Sequence, residues 1–517
     1  MPGDRLIGWI VTLVITLLGF FIRFVNFANP SKVLFDETYY AKDAWSLLQY
    51  GYEGSWHREG EDGEGVDQSV INVDVAQGSW ADLNSNASFV VHPPFGKWLI
   101  ASGEWLFGFN SFGWRFASVI FGTLLILMVI RLARRLSRST LIGGLAGLFV
   151  CVDGLSFVMS RIALVDIFCA FFIVAGVAAV VADRDYFRNK LAAFLDQRGL
   201  SDLGGAPGPW IFRPWLIVAG VMFGLGASCK WSSMYALAVF GIVVVAWSVG
   251  ARRLAGAGRR QWWALLIDGV PAFIAMVVVA AVSYTATWAG WFATSGGWLR
   301  DWGTQNPDSL LTRLLGPDLA AFVKYQIDVY DFHTGDYMAE ATHHYQSDAI
   351  TWPIIGRTVG IDAVTDIKPG VDGCDAAADS TCLTVIAALG TPLLWWAATI
   401  VLIAGLVWWI AGADWRFGVV VLATCSTWVP WFFVGTRPIF YFYAITMIPF
   451  MAIGLALALG VLIGPAKAGD RRRRGSLIAG AITTLIILDF AFIYPVLTDT
   501  MMTRTEWSLR MWFPAWI

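Results

Sequence analysis

The chain has 517 residues, 57% of them hydrophobic and 14% charged, with a formal net charge of −2 and a mean hydropathy of +0.62. A soluble domain is roughly 45–50% apolar and about 25% charged, so this composition excludes an ordinary soluble protein and implies many membrane spans. The basic runs are short and lie against apolar segments, which argues against nucleic acid as a partner.

Eleven apolar segments come near the ~20 residues that a bilayer requires: 7–28, 113–131, 141–159, 163–182, 214–230, 233–250, 264–289, 386–411, 417–434, 439–464 and 477–496. The first is too long for a signal peptide, carries Arg23 near its far end and lacks a small-residue cleavage site, so it is expected to remain as an anchor. The apolar piece from Trp98 to Phe109 is too short to span and contains Glu104, which places it at the interface. No repeat or low-complexity linker divides the chain, so residues 1–517 are expected to form one membrane domain with an all-α core.

Arginine and lysine gather on alternate loops: Arg131 to Arg138, Arg184 to Arg198, Arg252 to Arg260, and Lys467 to Arg474. The positive-inside rule makes that side cytoplasmic, together with the N-terminus. It leaves loops 29–112 and 290–385 and the C-terminal tail outside, and it predicts a multi-pass protein of the plasma membrane with its polar chemistry on the external face. The cytoplasmic loops hold no glycine-rich phosphate loop, which disfavours soluble nucleotide-sugar chemistry there. Cys151, Cys169, Cys229 and Cys425 fall in or beside spans and read as small core residues. Cys374 and Cys382 lie together in the second external loop, where either a disulfide or two free thiols is open.

The first external loop opens with Leu34-Phe35-Asp36-Glu37-Thr38-Tyr39-Tyr40 and closes with Val91-His92-Pro93-Pro94-Phe95-Gly96-Lys97-Trp98. Asp36 and Glu37 are adjacent carboxylates just outside an apolar helix, and such a pair is ordinarily a solvated loop or a helix cap. If both were buried they would repel, so one needs a raised pKa or a cationic partner. A carboxylate near a dry boundary can take a proton from an attacking hydroxyl. The two prolines stiffen the return to the membrane, and Lys97 either neutralises a phosphate, pairs with a loop carboxylate or snorkels. The acidic middle, Glu59 to Asp82, reads as a solvated, mobile insert.

Outside the long loops, Arg115, Asp153, Arg161, Asp166, Lys230 and Arg437 collect at expected external span ends, and the spans are nearly free of mid-membrane charge. Cations beside an acidic external loop suit an anionic lipid headgroup brought to a carboxylate, whereas a permeation path would place charge near mid-span. Snorkelling alone accounts for any single one of these cations. His343-His344 with nearby acids offers a metal-site alternative, but without the helical spacing of zinc-binding histidines.

Six pieces in order carry a family resemblance: Phe35-Asp36-Glu37; His92 to Lys97; Trp114-Arg115-Phe116; Ser160-Arg161-Ile162-Ala163-Leu164-Val165-Asp166; Gly226-Ala227-Ser228-Cys229-Lys230-Trp231; and Arg437-Pro438-Ile439-Phe440-Tyr441-Phe442-Tyr443. Together they resemble the motifs of protein O-mannosyltransferases of the bacterial, actinobacterial type. The resemblance implies a C-type glycosyltransferase (GT-C) membrane fold with about eleven transmembrane helices. It also implies transfer of mannose from polyprenyl-phosphate-mannose to Ser or Thr hydroxyls of exported polypeptides, with inversion. Asp36 matches the carboxylate that acts as base, and Glu37 its partner. Arg115 and Lys230 resemble cations near the donor phosphate, and Lys97 and Arg437 join them in that role. His92, Tyr40, His343 and His344 are expected to contact acceptor or sugar, while Arg161 and Asp166 are carried over as structural.

Loop 290–385 is too short for the β-trefoil insertion of eukaryotic relatives, so acceptor selection by such a module is not expected. The scheme requires no cofactor, although a divalent cation bridging Asp36, Glu37 and phosphate stays open. Two rival readings also stay open: a C-type transferase acting on a lipid or envelope glycan, and a lipid or sugar transporter. Whether the secretion translocon hands over the acceptor is likewise open.

Overall fold

The computed structural model describes residues 4–59, 65–434, 437–467 and 469–517. Residues 60–64, within the acidic stretch of the first long loop, lie outside the described residues.

Among the described residues, eight helices are long and apolar enough to cross a membrane, and three shorter apolar helices, Thr140–Cys151, Pro214–Ala227 and Ile448–Ile463, fall on three more of the expected spans. In chain order the first half comprises α1 (Arg5–Phe24), α2 (Glu37–Tyr50), α3 (Gln68–Ala76), α4 (Phe95–Phe107), α5 (Ser111–Ser137), α6 (Thr140–Cys151), α7 (Gly154–Met159), α8 (Asp166–Gln197), α9 (Pro214–Ala227) and α10 (Ser233–Leu254). The N-terminal half of α8 is apolar on nearly every face and almost wholly buried, as expected of a helix at the centre of a bundle. α1 and the segments Gly258–Ala286 and Asp470–Leu497 stand at the rim, with large apolar side chains turned outward. α9 lies close against Gly258–Ala286 because Gly220 and Gly224, one turn apart, meet the backbone at Ala275 and Ala280; a side chain at either position would collide.

Guanidinium groups tie the loop ends to the bundle. Arg23 donates to the carbonyls of Val150 and Cys151 and to the hydroxyls of Ser156 and Ser160, and Arg161 donates back to the carbonyls of Arg23, Val25 and Asn26. These contacts fill carbonyls at the ends of α6 and α1 that have no helical partner.

The long loops outside the bundle depart from an all-helical expectation. β1 (Gly54–Trp56) and β2 (Leu83–Ala87) pair antiparallel, with Gly54 opposite Ala87 and Trp56 opposite Leu83. β3 (Val359–Ile367), β4 (Cys382–Ala388) and β5 (Met502–Thr503) form a second sheet in the order β3-β4-β5. β4 is central and buried along most of its length, so its apolar run joined the following helix, Pro392–Ile410, in the expected span 386–411. The span therefore begins at Pro392, because a buried strand lacks the polar alternation that separates it from a helix. A disulfide joins Cys374 to Cys382 at the head of β4.

The acidic insert is folded where it is described. Asp67 caps α3 through Ser69, Ile71 and Val75 are buried beneath it, and Arg58 is clamped between Asp74 and Asp82. Over its described residues the mobile insert expected from charge alone is corrected: Asp74 and Asp82 converge on one arginine instead of repelling into solvent.

Candidate active site

The acidic pair sits on a turn anchored to two spans. Phe35 adopts a left-handed backbone with φ of 46°, rare for a bulky residue and found where the surroundings hold it in place. Those surroundings are Phe442, 5.7 Å from its ring centre, with Phe440 and His343 each at 6.4 Å. The turn is closed by the Glu37 amide donating to the Leu34 carbonyl at 2.8 Å.

Glu37 is fully buried, and each of its oxygens is used twice. Arg115 reaches both of them, at 2.8 and 2.9 Å, and the backbone amides of Leu34 and Ala163 donate to them at 2.9 Å. The remaining donors of Arg115 end on the carbonyls of Phe27, Ala28, Pro30 and Lys32. Arg115 is thus committed to the loop and to Glu37, which corrects its expected place at a donor phosphate. Of the roles open to Lys97, pairing with loop carboxylates is the one found, in place of a donor phosphate: its ammonium is buried between Asp43 at 3.3 Å and Glu53 at 2.5 Å. Both cations had protein carboxylates within reach, far away in sequence, that left no charge to spare for a ligand.

Asp36 contrasts with its neighbour. It is half-buried, and its carboxylate accepts no hydrogen bond among the described residues. Burial raises its pKa to about 7, with the Asp166 charge adding to the shift and the Lys230 ammonium opposing it. The adjacent carboxylates therefore avoid mutual repulsion by division: Glu37 is paired and fixed, and Asp36 is left open. Tyr40 is buried close by, and burial together with the Asp36 charge holds its hydroxyl well above the usual phenol range.

Around Asp36 lie two cations of different character. Lys230, just past α9, bonds Asp166 at the start of α8 at 2.7 Å and stands 3.6 Å over the Tyr443 ring. Arg437 bonds the Nδ1 of His333 at 2.8 Å, while its own Nε is buried with no partner among the described residues. His333 comes from the helix Pro317–Thr334, and its Nε2 faces the Val91 carbonyl at 3.4 Å. With Nδ1 accepting from Arg437, Nε2 carries the proton. Burial and the Arg437 charge lower the His333 pKa to about 4, so the ring is neutral. His92 lies between Tyr40 and His333, with ring centres 6.0 and 5.9 Å away, and burial followed by the Lys230 charge keeps it neutral as well.

The structure thus brings together Asp36, Tyr40, His92, Asp166, Lys230 and Arg437. His343 and His344 are both exposed; the first borders the group through Phe35 and through Phe440, 4.9 Å away, and the second packs on Tyr345. Sequence reasoning missed His333 and the roles of Asp43 and Glu53; none sits in a pattern that distinguishes it from ordinary loop or helix residues. A divalent ion bridging Asp36 and Glu37 does not fit, since the Glu37 oxygens are already filled by Arg115 and two amides. No group of three or more His, Cys, Asp or Glu side chains among the described residues could hold a metal ion.

Two family models match the chain: the dolichyl-phosphate-mannose-protein mannosyltransferase model over residues 70–289, and the C-terminal four-span region of protein-O-mannosyltransferases over residues 319–516. A polyprenol-phosphate-mannose–protein mannosyltransferase of Mycobacterium tuberculosis is 35% identical, with all of this chain and 93% of that protein aligned. One from Corynebacterium glutamicum is 31% identical over 98% of this chain and 93% of its own length. Among solved structures, the Saccharomyces cerevisiae protein O-mannosyltransferase Pmt1-Pmt2 complex bound to the sugar donor superposes with a TM-score of 0.70 at 12% identity, covering 99% of this chain and 92% of that one. The archaeal oligosaccharyltransferase AglB of Archaeoglobus fulgidus gives 0.52 at 11% identity, covering 97% of this chain and 56% of that one. The fold is that of the GT-C glycosyltransferases, and identity of this extent over the whole length shows that the chain belongs to the dolichyl-phosphate-mannose–protein mannosyltransferase family.

Proposed function

We propose that the protein transfers a mannosyl group from polyprenyl-phosphate-mannose to Ser or Thr hydroxyls of exported polypeptides at the external face of the plasma membrane, with Asp36 as general base. The observation that carries this reading is the division of labour in the acidic pair: Glu37 is saturated, while Asp36 has an open carboxylate with a pKa near the working range. A base whose pKa lies near the ambient pH combines a useful ionised fraction with enough proton affinity.

The acceptor oxygen attacks the anomeric carbon as its proton passes to the Asp36 carboxylate. The bond from that carbon to the phosphate oxygen breaks, and its electron pair leaves with the polyprenyl phosphate. A single displacement inverts the anomeric centre. Phosphate is a good leaving group, so cations that meet its developing charge suffice in place of a general acid. Lys230 and Arg437 fill that role: the first has ammonium donors beyond the one given to Asp166, and the second has an unfilled Nε. The neutral imidazoles of His92 and His333 offer hydrogen bonds without adding charge beside the base, and Tyr40, His92 and His343 lie where sugar and acceptor would pass. No metal takes part in this scheme.

Membranes or purified protein supplied with polyprenyl-phosphate-mannose and either a Ser/Thr/Pro-rich peptide or lipid acceptors test the acceptor class. Mannosylated peptide is the expected product. Labelling confined to lipid would overturn the reading.

A further inference from the structure

The opposite end of the bundle holds a second charged cavity. Arg184 lies about 27 Å along α8 from Asp166 at 1.5 Å rise per residue, close to the ~30 Å thickness of a bilayer's hydrocarbon core. At that depth a cavity of about 600 Å³ opens between the end of α5, the middle of α8 and the start of the helix Trp415–Trp428. Arg135 and Arg138 reach it from α5, Arg184 and Arg188 from α8, and Arg416 from the third wall.

Its charges are poorly balanced. Asp185 is the one carboxylate in the lining, shared by Arg135 at 3.1 Å and Arg184 at 3.6 Å. Arg416 is held by Asp414 within its own turn. Arg138 and Arg188 have no carboxylate partner among the described residues, and the Nε atoms of Arg184 and Arg188 are buried with no hydrogen-bond partner there. Arg184 is also fixed in place, its guanidinium 3.6 Å over the Trp415 ring. The positive-inside rule explains why arginines lie on this side. It does not explain why three separate segments aim them into one cavity and leave buried donors unfilled, an arrangement that is costly unless an acceptor arrives.

We propose that this cavity binds the phosphate-bearing headgroup of an anionic phospholipid in the leaflet opposite the Asp36 loop. Guanidinium forks match phosphate oxygens in pairs, and the cavity lies at headgroup depth beside Trp247 and Trp415. Free phosphate shares this chemistry, so the test must separate the two sources.

The full-length protein in neutral detergent is examined by native mass spectrometry with cardiolipin, phosphatidylcholine or inorganic phosphate. Cardiolipin is expected to be retained at least tenfold more tightly than phosphatidylcholine and to resist displacement by millimolar phosphate. The double variant Arg184→Gln/Arg188→Gln should lose at least tenfold in cardiolipin affinity, whereas Arg259→Gln/Arg260→Gln, exposed on the same side but outside the cavity, should change less than twofold. Equal retention by the first double variant, or equal loss by the second, overturns the site. Displacement by phosphate alone overturns the lipid assignment. Should the first double variant fail to fold, Arg138→Gln at the exposed edge decides: a several-fold loss supports the site, and unchanged binding overturns it.

Discussion

At the residue scale, the adjacent carboxylates show how position decides chemistry. Glu37 is held by four hydrogen bonds, and Asp36, one residue away, by none among the described residues. Because burial raises the Asp36 pKa to about 7, kcat/KM for transfer should fall roughly tenfold per pH unit below about 7 and level off above it. The same shift has a stability sign. The folded state holds the Asp36 proton more tightly than the unfolded chain, whose carboxyl titrates near ~4, so its stabilising contribution is complete below about 4 and lost as pH rises through about 7. Asp36→Asn should accordingly raise the apparent Tm at pH 8 relative to wild type, with little difference at pH 4; thermal melts at both pH values check this. Arg437 acts on a different quantity. Arg437→Gln should lower kcat by about tenfold, the loss of one charged contact to the departing phosphate. An unchanged kcat would remove Arg437 from the phosphate.

At the scale of elements, the turn that carries Asp36 is held by an ion pair that joins α2 to α5. Removing the Glu37 charge leaves Arg115 buried and uncompensated, which typically destabilises by about 3–5 kcal/mol. Glu37→Gln should therefore lower the apparent Tm by several degrees and lose activity along with fold. A melt equal to wild type would mean that the pair does not hold the turn. This element was only half legible in sequence. The Asp36-Glu37 pair and the proline-stiffened return drew notice through charge and motif order, but the partners of Arg115 and Lys97 did not. Pairing between charges far apart in sequence leaves no local pattern, so sequence places Arg115 at a ligand and leaves Lys97 divided between a phosphate, a loop carboxylate and the interface. His333 has a Phe and a Thr beside it on a surface helix and nothing to mark it.

At the scale of the molecule, the bundle was the most legible part, because a bilayer demands length and apolarity in every span. The limits of those spans were less so. β4 and the helix Pro392–Ile410 form one apolar stretch, and only pairing with β3 and β5 separates strand from span. The basic loops also predict orientation. A cysteine introduced at Asp308 should react with an impermeant maleimide on intact cells, and one at Arg473 only after permeabilisation; the reverse pattern would invert the topology. The central claim, that Asp36 accepts the acceptor's proton, is tested most directly by the transfer rate of Asp36→Asn at pH 8, measured with polyprenyl-phosphate-mannose and a Ser/Thr peptide beside a thermal melt. A fall of about 10²–10⁴-fold with an intact melt is predicted, the range expected for loss of a general base. Transfer at the wild-type rate by a folded Asp36→Asn protein would contradict it.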